Sequence, residues 1–95
     1  MKKYEIMFIV KANLDEEARK AAIEKVCGYV KTNGAKVNNV DEKLGLRELA
    51  YPINDEIKGY YVVLKVEAKE ALNEFDRLVK LDKNVLRHLI VVDQD

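Results

Sequence analysis

Two stretches of alternation, Tyr4 to Val10 and Tyr60 to Glu67, constrain this chain more than any other feature of its 95 residues. In the first, Tyr4, Ile6, Phe8 and Val10 fall on one side and Glu5, Met7 and Ile9 on the other. In the second, Tyr60, Val62, Leu64 and Val66 alternate with Tyr61, Val63, Lys65 and Glu67. A period of two is what a β-strand imposes, and a slip of one residue would exchange the faces. Each stretch therefore reads as a strand with one side that must be buried and a second side that is only partly polar.

The segments around these strands carry a different period. Ala22, Ile23, Val26, Cys27 and Val30 recur at helical spacing, preceded by capping side chains at Asn13-Leu14-Asp15 and by the acids Glu16 and Glu17 near the positive end of the helix dipole. Asn33-Gly34 supplies the stop. Leu72, Phe75, Leu78 and Val79 predict a second helix over Glu70 to Leu81, broken by Asp82-Lys83-Asn84 before a last apolar strand, Val85 to Val92. Ala35 to Ile53 favours strand, but its apolar parity changes between Val37 and Val40 and again between Leu46 and Leu49. A bulge or break near Gly45 is expected, with Pro52 at a strand end or sheet edge and Asn54 to Gly59 as a hairpin turn.

The resulting order, βαββαβ, with right-handed crossovers gives an α+β fold of ferredoxin-like type: a four-stranded antiparallel sheet with two helices on one face, in a single domain over residues 1–95. The other face would be bare. It would include Met7, Ile9, Tyr61 and Val63, more apolar surface than a monomer readily leaves in water, so a protein partner is expected there.

Chemistry of the catalytic kind is missing from the sequence. There is no phosphate-binding glycine loop, nucleophile elbow or metal-spaced Cys/His set, so no catalytic residue, cofactor or metal is expected. The acidic pairs Glu16-Glu17 and Asp41-Glu42 read as a helix start and a solvated strand. Cys27 sits in an amphipathic stretch and reads as a buried thiol, and a lone cysteine suits a reducing compartment. No apolar run approaches the ~20 residues needed to span a bilayer, and Met1-Lys2-Lys3 leads into no signal-type segment, so neither membrane insertion nor secretion is expected. The lone His88 reads as structural or anion-facing. Lys58-Gly59-Tyr60-Tyr61-Val62-Val63 begins like an aromatic RNA-binding strand but has the wrong residues at its fourth and fifth positions, and Tyr60 should point toward the helices, away from any stacking base.

With 17 basic and 17 acidic side chains the net charge is zero, which argues against a whole molecule built for polyanion binding. Locally the balance differs. Arg77, Lys80, Lys83 and Arg87 face one acid, Asp82, in the last helix and strand, and Lys2, Lys3 and Lys11 face only Glu5 at the start. Because the first and last strands of this topology are neighbours, the two segments are expected to join into one phosphate-binding patch.

Lys3-Tyr4-Glu5-Ile6, the run Gly45-Leu46-Arg47-Glu48-Leu49-Ala50-Tyr51-Pro52-Ile53 leading into Gly59-Tyr60-Tyr61, then Val66-Glu67 and Asn84-Val85-Leu86-Arg87-His88 resemble the bacterial small-subunit ribosomal protein S6 family. The resemblance covers essentially the whole chain. It implies a cytoplasmic, non-enzymatic constituent of the ribosome that binds the central domain of small-subunit ribosomal RNA as a heterodimer with ribosomal protein S18, without a small-molecule substrate. Lys2, Lys3, Arg47, Arg87 and the adjoining His88 are the RNA-binding residues it suggests. Leu46, Leu49, Tyr51, Tyr61 and Val63 are the partner-binding ones, although Tyr51-Pro52 also reads as a structural strand end. His88 replaces a small or apolar family residue, and Asp93-Gln94-Asp95 stands where relatives often carry a base. A ligand-sensing or self-associating regulatory domain of the same fold is the alternative.

Overall fold

The computed structural model describes residues 2–53 and 56–92, the side chains of Ala50, Tyr51 and Ile53 lying outside that description. Its elements are β1 (Lys2–Lys11), α1 (Glu16–Thr32), β2 (Lys36–Ile53), β3 (Glu56–Ala68), α2 (Asn73–Lys80) and β4 (Val85–Val92). They form one antiparallel sheet in the order β2-β3-β1-β4, the ferredoxin-like arrangement that the alternation and helical spacing predict.

The central pair fixes everything else. β1 and β3 stay in register from Lys2 opposite Ala68 to Lys11 opposite Gly59, so Ile6, Phe8 and Val10 lie opposite Leu64, Val62 and Tyr60. Onto this side pack Ala22, Ile23, Val26 and Val30 of α1 and Phe75 and Val79 of α2, a dry core without a buried polar side chain among the described residues. Cys27 borders it, half-buried, and burial pushes its thiol above the ordinary value, as suits an inert structural cysteine.

β2 keeps pace with β3 only by shedding residues. Its register shifts between Val37 and Asn39, between Asp41 and Gly45, and between Glu48 and Ile53. The first shift brings Val37 and Val40 to the same side, opposite Val66 and Leu64, which resolves their conflicting parity. At the second, Gly45 takes φ +56°, a conformation that disfavours any side chain, and Arg47 Nε donates to the Leu44 carbonyl at 2.8 Å to close the bulge. The hairpin is tighter than expected: Glu56 to Gly59 belong to β3, with Glu56, Lys58 and Gly59 paired to Ile53, Glu48 and Arg47, and the remaining turn residues, Asn54 and Asp55, lie outside the described residues. Polarity on both faces of an exposed ribbon had the look of a turn.

Both helix ends are capped by identifiable groups. Asp15 accepts from the Ala18 amide at 2.7 Å at the start of α1. At its end, Gly34 N–H donates to the Lys31 carbonyl and Ala35 N–H to that of Val30, a Schellman closure with Gly34 at φ +81°. α2 begins at Asn73, three residues later than its apolar spacing suggests, and its capping residue, Leu72, offers no side-chain acceptor. Asn33, just past the end of α1, fills the role from another element: its Oδ1 accepts from the Phe75 amide at 2.9 Å and its Nδ2 donates to the Ala71 carbonyl at 3.3 Å. One residue thus ends the first helix and starts the second. Asn33→Ala is expected to lower unfolding free energy by about 1–2 kcal/mol with an unchanged denaturant slope, whereas Asn33→Asp, which keeps an acceptor at the positive end of α2, retains most of it. Urea titrations of the three proteins check this, and an Asn33→Ala midpoint equal to the parent's would show the cap to be idle.

Candidate functional site

The side of the sheet away from the helices is the candidate surface. Strand register lays its side chains in lines that cross the four strands. Gly45, Tyr61, Ile9 and Arg87 make one line, and Asp41, Val63, Met7 and Leu89 the next. Beyond the first line lie Arg47, Gly59 and Lys11, and beyond the second lie Glu5 and Val91. The middle of the face is therefore apolar, with Tyr61, Val63 and Met7 half-buried and Leu89 and Val91 exposed. A depression of ≈ 230 Å³ bordered by Met7, Ile9, Arg87, His88 and Leu89 runs between β1 and β4.

Ile9 is 7% exposed although it is on the open side, because neighbouring side chains close over Gly59. A Cβ there would collide with Ile9 Cγ2 and would stand 3.3 Å from Leu49 Cδ2. Leu49 thus reaches in from the edge strand and belongs to the open face with Tyr61 and Val63. Leu46 does not: it lies opposite Tyr60, on the helix side, and is 55% exposed. Of the expected partner-binding residues, the structure gathers Leu49, Tyr61 and Val63, places Leu46 apart, and holds Tyr51 in β2 with its side chain outside the described residues. Tyr60 is turned to the helices as expected. Arg19 covers one face of its ring at 4.3 Å from the centroid, and the Tyr60 hydroxyl donates to Glu42 at 3.0 Å.

The basic residues join only in part. β1 and β4 are neighbours, but they run antiparallel, so the start of β1 lies beside the end of β4, with Tyr4 opposite Val92 and Ile9 opposite Arg87. Lys2 and Lys3 are thereby separated from Arg87 by about 20 Å of strand, at roughly 3.3 Å per residue. Lys3 is also set opposite Glu67. What does gather is Arg47, Lys11 and Arg87, from three different strands, at the end of the face where β1 stops. Lys11 comes from the first basic segment and Arg87 from the last, so these two meet as expected of neighbouring strands, although Lys11 was not among the RNA-binding residues that the resemblance suggests.

His88 is placed on the helix side of the sheet. It lies opposite Phe8, so its ring enters the layer between sheet and helices, edge-on to Phe75 at 6.3 Å and with its side chain 14% exposed. Its Nε2 is 2.7 Å from Asp76 Oδ1, and the other carboxylate oxygen of Asp76 is 2.9 Å from Lys80 Nζ. The basic excess around α2 shrinks here, since Arg77 pairs with Glu74 and Lys80 with Asp76. Tyr29 ties the same region to α1, donating to Asp82 at 2.9 Å; burial and that carboxylate push its pKa up to about 12. No cluster of metal-ligating side chains occurs among the described residues.

Hydrogen bonds from Lys80 and His88 hold the Asp76 carboxyl below the usual carboxylate range. A carboxylate whose folded pKa lies below its unfolded one, about 3.9, stabilises the fold above that value and loses the contribution as pH falls through the folded pKa. Asp76→Asn should therefore flatten the fall of Tm on acidification below about pH 5 while leaving its shape near neutrality unchanged. Thermal melts across that range check it, and an equally steep acid limb in Asp76→Asn would remove Asp76 from the account.

Comparison with known proteins agrees with the fold. The family model described as ribosomal protein S6 matches residues 3–92. The crystal structure of 30S ribosomal protein S6 from Thermotoga maritima is similar at 26% sequence identity and a TM-score of 0.87, over 97% of this chain and 87% of that one.

Proposed function

The chain belongs to the ribosomal protein S6 family and is thus a small-subunit ribosomal protein with a structural, non-enzymatic part in the cytoplasmic ribosome; from that premise we propose that it binds the central domain of small-subunit ribosomal RNA jointly with ribosomal protein S18. The observation that carries this reading is the division of the open sheet face: an apolar middle of Met7, Tyr61, Val63 and Leu89, bounded at one end by Arg47, Lys11 and Arg87.

Each half suits a different contact. A half-buried apolar surface gains by excluding water against another protein, and Leu49, Tyr61 and Val63 are its anchors in this proposal. Guanidinium and ammonium groups bind phosphate oxygens and release counterions, positioning a folded RNA without reading its sequence. Three cations at one end of the face give a small footprint, so a chain of zero net charge needs the second protein's surface to hold RNA firmly. Lys2 and Lys3 make a separate phosphate contact at the opposite end of β1 in this reading.

The expected result is weak RNA binding by the isolated chain and strong binding by its complex with S18. Arg87→Ala and Lys11→Ala should each weaken the complex and reduce the slope of log K against log salt by about 0.7–0.9 for each phosphate that is no longer neutralised. Leu89→Lys should impair assembly with S18 first and RNA binding only as a consequence. Binding of a central-domain RNA fragment at several salt concentrations, with sedimentation of the chain alongside small subunits, measures these effects. Tight, salt-insensitive binding by the isolated chain, or a parental salt slope in Arg87→Ala, would overturn the proposal.

A further inference from the structure

Arg47 is an exposed cation that is held at one point only. Its Nε donates to the Leu44 carbonyl at 2.8 Å, whereas its two terminal nitrogens have no partner among the described residues. A guanidinium fixed at Nε presents those two nitrogens as a planar fork, the shape that takes two oxygens of one phosphate. Where the fork points is set by the Leu44 carbonyl, and Leu44 belongs to the bulge of β2. From Asp41 to Gly45 β2 advances four residues while its partner moves two, from Val63 to Tyr61. Bulges of this kind re-aim the side chains that follow them.

We propose that Tyr60, acting through Glu42, is a positioning residue for the Arg47 phosphate fork, an inference that rests on the RNA-binding reading of Arg47. Within the bulge, Lys43 N–H donates to Asp41 Oδ1 at 2.8 Å, a bond local to β2. The side-chain hydrogen bond that ties the bulge to another element comes from Tyr60 of β3, whose hydroxyl donates to Glu42 Oε1 at 3.0 Å. Burial, and after it the Glu42 carboxylate, push that hydroxyl above the ordinary tyrosine pKa, so it stays protonated and remains a donor. The ring itself lies close against the bulge: a Cβ built on Gly45 would stand 3.9 Å from Tyr60 Cε2. Arg19 of α1 covers the ring at 4.3 Å from its centroid. The bulge is thus braced through Tyr60 against α1, on the helix side of the sheet, while Arg47 lies opposite Gly59 on the open side. A fork that is already aimed loses less freedom when a phosphate arrives.

Side-chain NMR of the isolated chain tests the positioning without RNA. Exchange of the Arg47 Nε–H with water is expected to quicken at least ~3-fold in Tyr60→Phe and in Glu42→Ala, the scale of one exposed hydrogen bond. Glu42→Gln, which keeps an acceptor, should stay near the parent, and the Arg87 Nε–H should be unchanged in all three. Binding of a central-domain RNA fragment by the complex with S18 should weaken at least ~3-fold in Tyr60→Phe and Glu42→Ala. Tyr60→Phe should add no further loss to Arg47→Ala but its full loss to Arg87→Ala, a separation that general destabilisation would not produce. A parental Arg47 exchange rate in Tyr60→Phe, or an undiminished effect of Tyr60→Phe on top of Arg47→Ala, would overturn the inference. Quickened exchange together with parental RNA binding by Arg47→Ala would overturn the phosphate contact at Arg47, and the inference with it.

Discussion

The uninterrupted pairing of β1 with β3 is the constraint on which the rest of the structure depends. Along its whole length one side of the ribbon carries Ile6, Phe8, Val10, Val62, Leu64 and Val66, each essentially without solvent exposure, and a slip by one residue would turn that entire set outward. At about 25 cal/mol per Å² of apolar surface, such a loss far exceeds what any hydrogen bond at the periphery could offset. The peripheral elements therefore adapt to the central pair. β2 bulges until its side chains meet those of β3, β4 shifts by one residue near Val10, and the helices settle over the only face that offers a dry surface.

This hierarchy explains what was legible in the sequence. Alternation and helical spacing report burial, so elements whose residues enter the core could be read directly, β1, α1 and the buried half of β3, and so could β4, whose Val85 and Ile90 pack against it. The less legible parts were those whose geometry is set by something other than burial. The start of α2 lacked a local cap, because the cap is Asn33, some forty residues earlier in the chain and near only after folding. The first residues of β3 are polar on both faces, and their strand character comes from pairing with an equally exposed β2. Parity did foresee the sides taken by Tyr60, Tyr61 and Val63. It also gives the side taken by His88, which shares parity with Ile90 and Val92.

The candidate surface was half legible for a similar reason. Apolar residues on the second face of a strand are visible in the sequence as a departure from alternation, which identified Met7, Ile9, Tyr61 and Val63 as residues of the side away from the helices, although Ile9 is buried there. Charge is different, because a segment's net charge says nothing about where along a strand the charge lies. Antiparallel pairing reverses one strand against its neighbour, so two basic segments on adjacent strands can finish at opposite ends of the sheet. That separates Lys2 and Lys3 from Arg87. It also brings Lys11 toward Arg87 and Arg47, residues that no local window of sequence connects.

Neutrality of the whole molecule then acquires a structural meaning. Several of its cations are matched within the fold: Arg77 by Glu74, Lys80 by Asp76, and Arg19 by the ring of Tyr60 beside Glu42. These pairs lie on the helices and on the helix side of the sheet, so the open side keeps its cations at its margins and apolar groups in its middle. Exposed ion pairs of this kind add little to stability, but they cancel long-range attraction on the helix side. Orientation rather than total charge is what the fold supplies, and it follows from the same parity rule that builds the core: residues one apart on β1 or β4 belong to different sides of the sheet, with Arg87 outward and His88 inward.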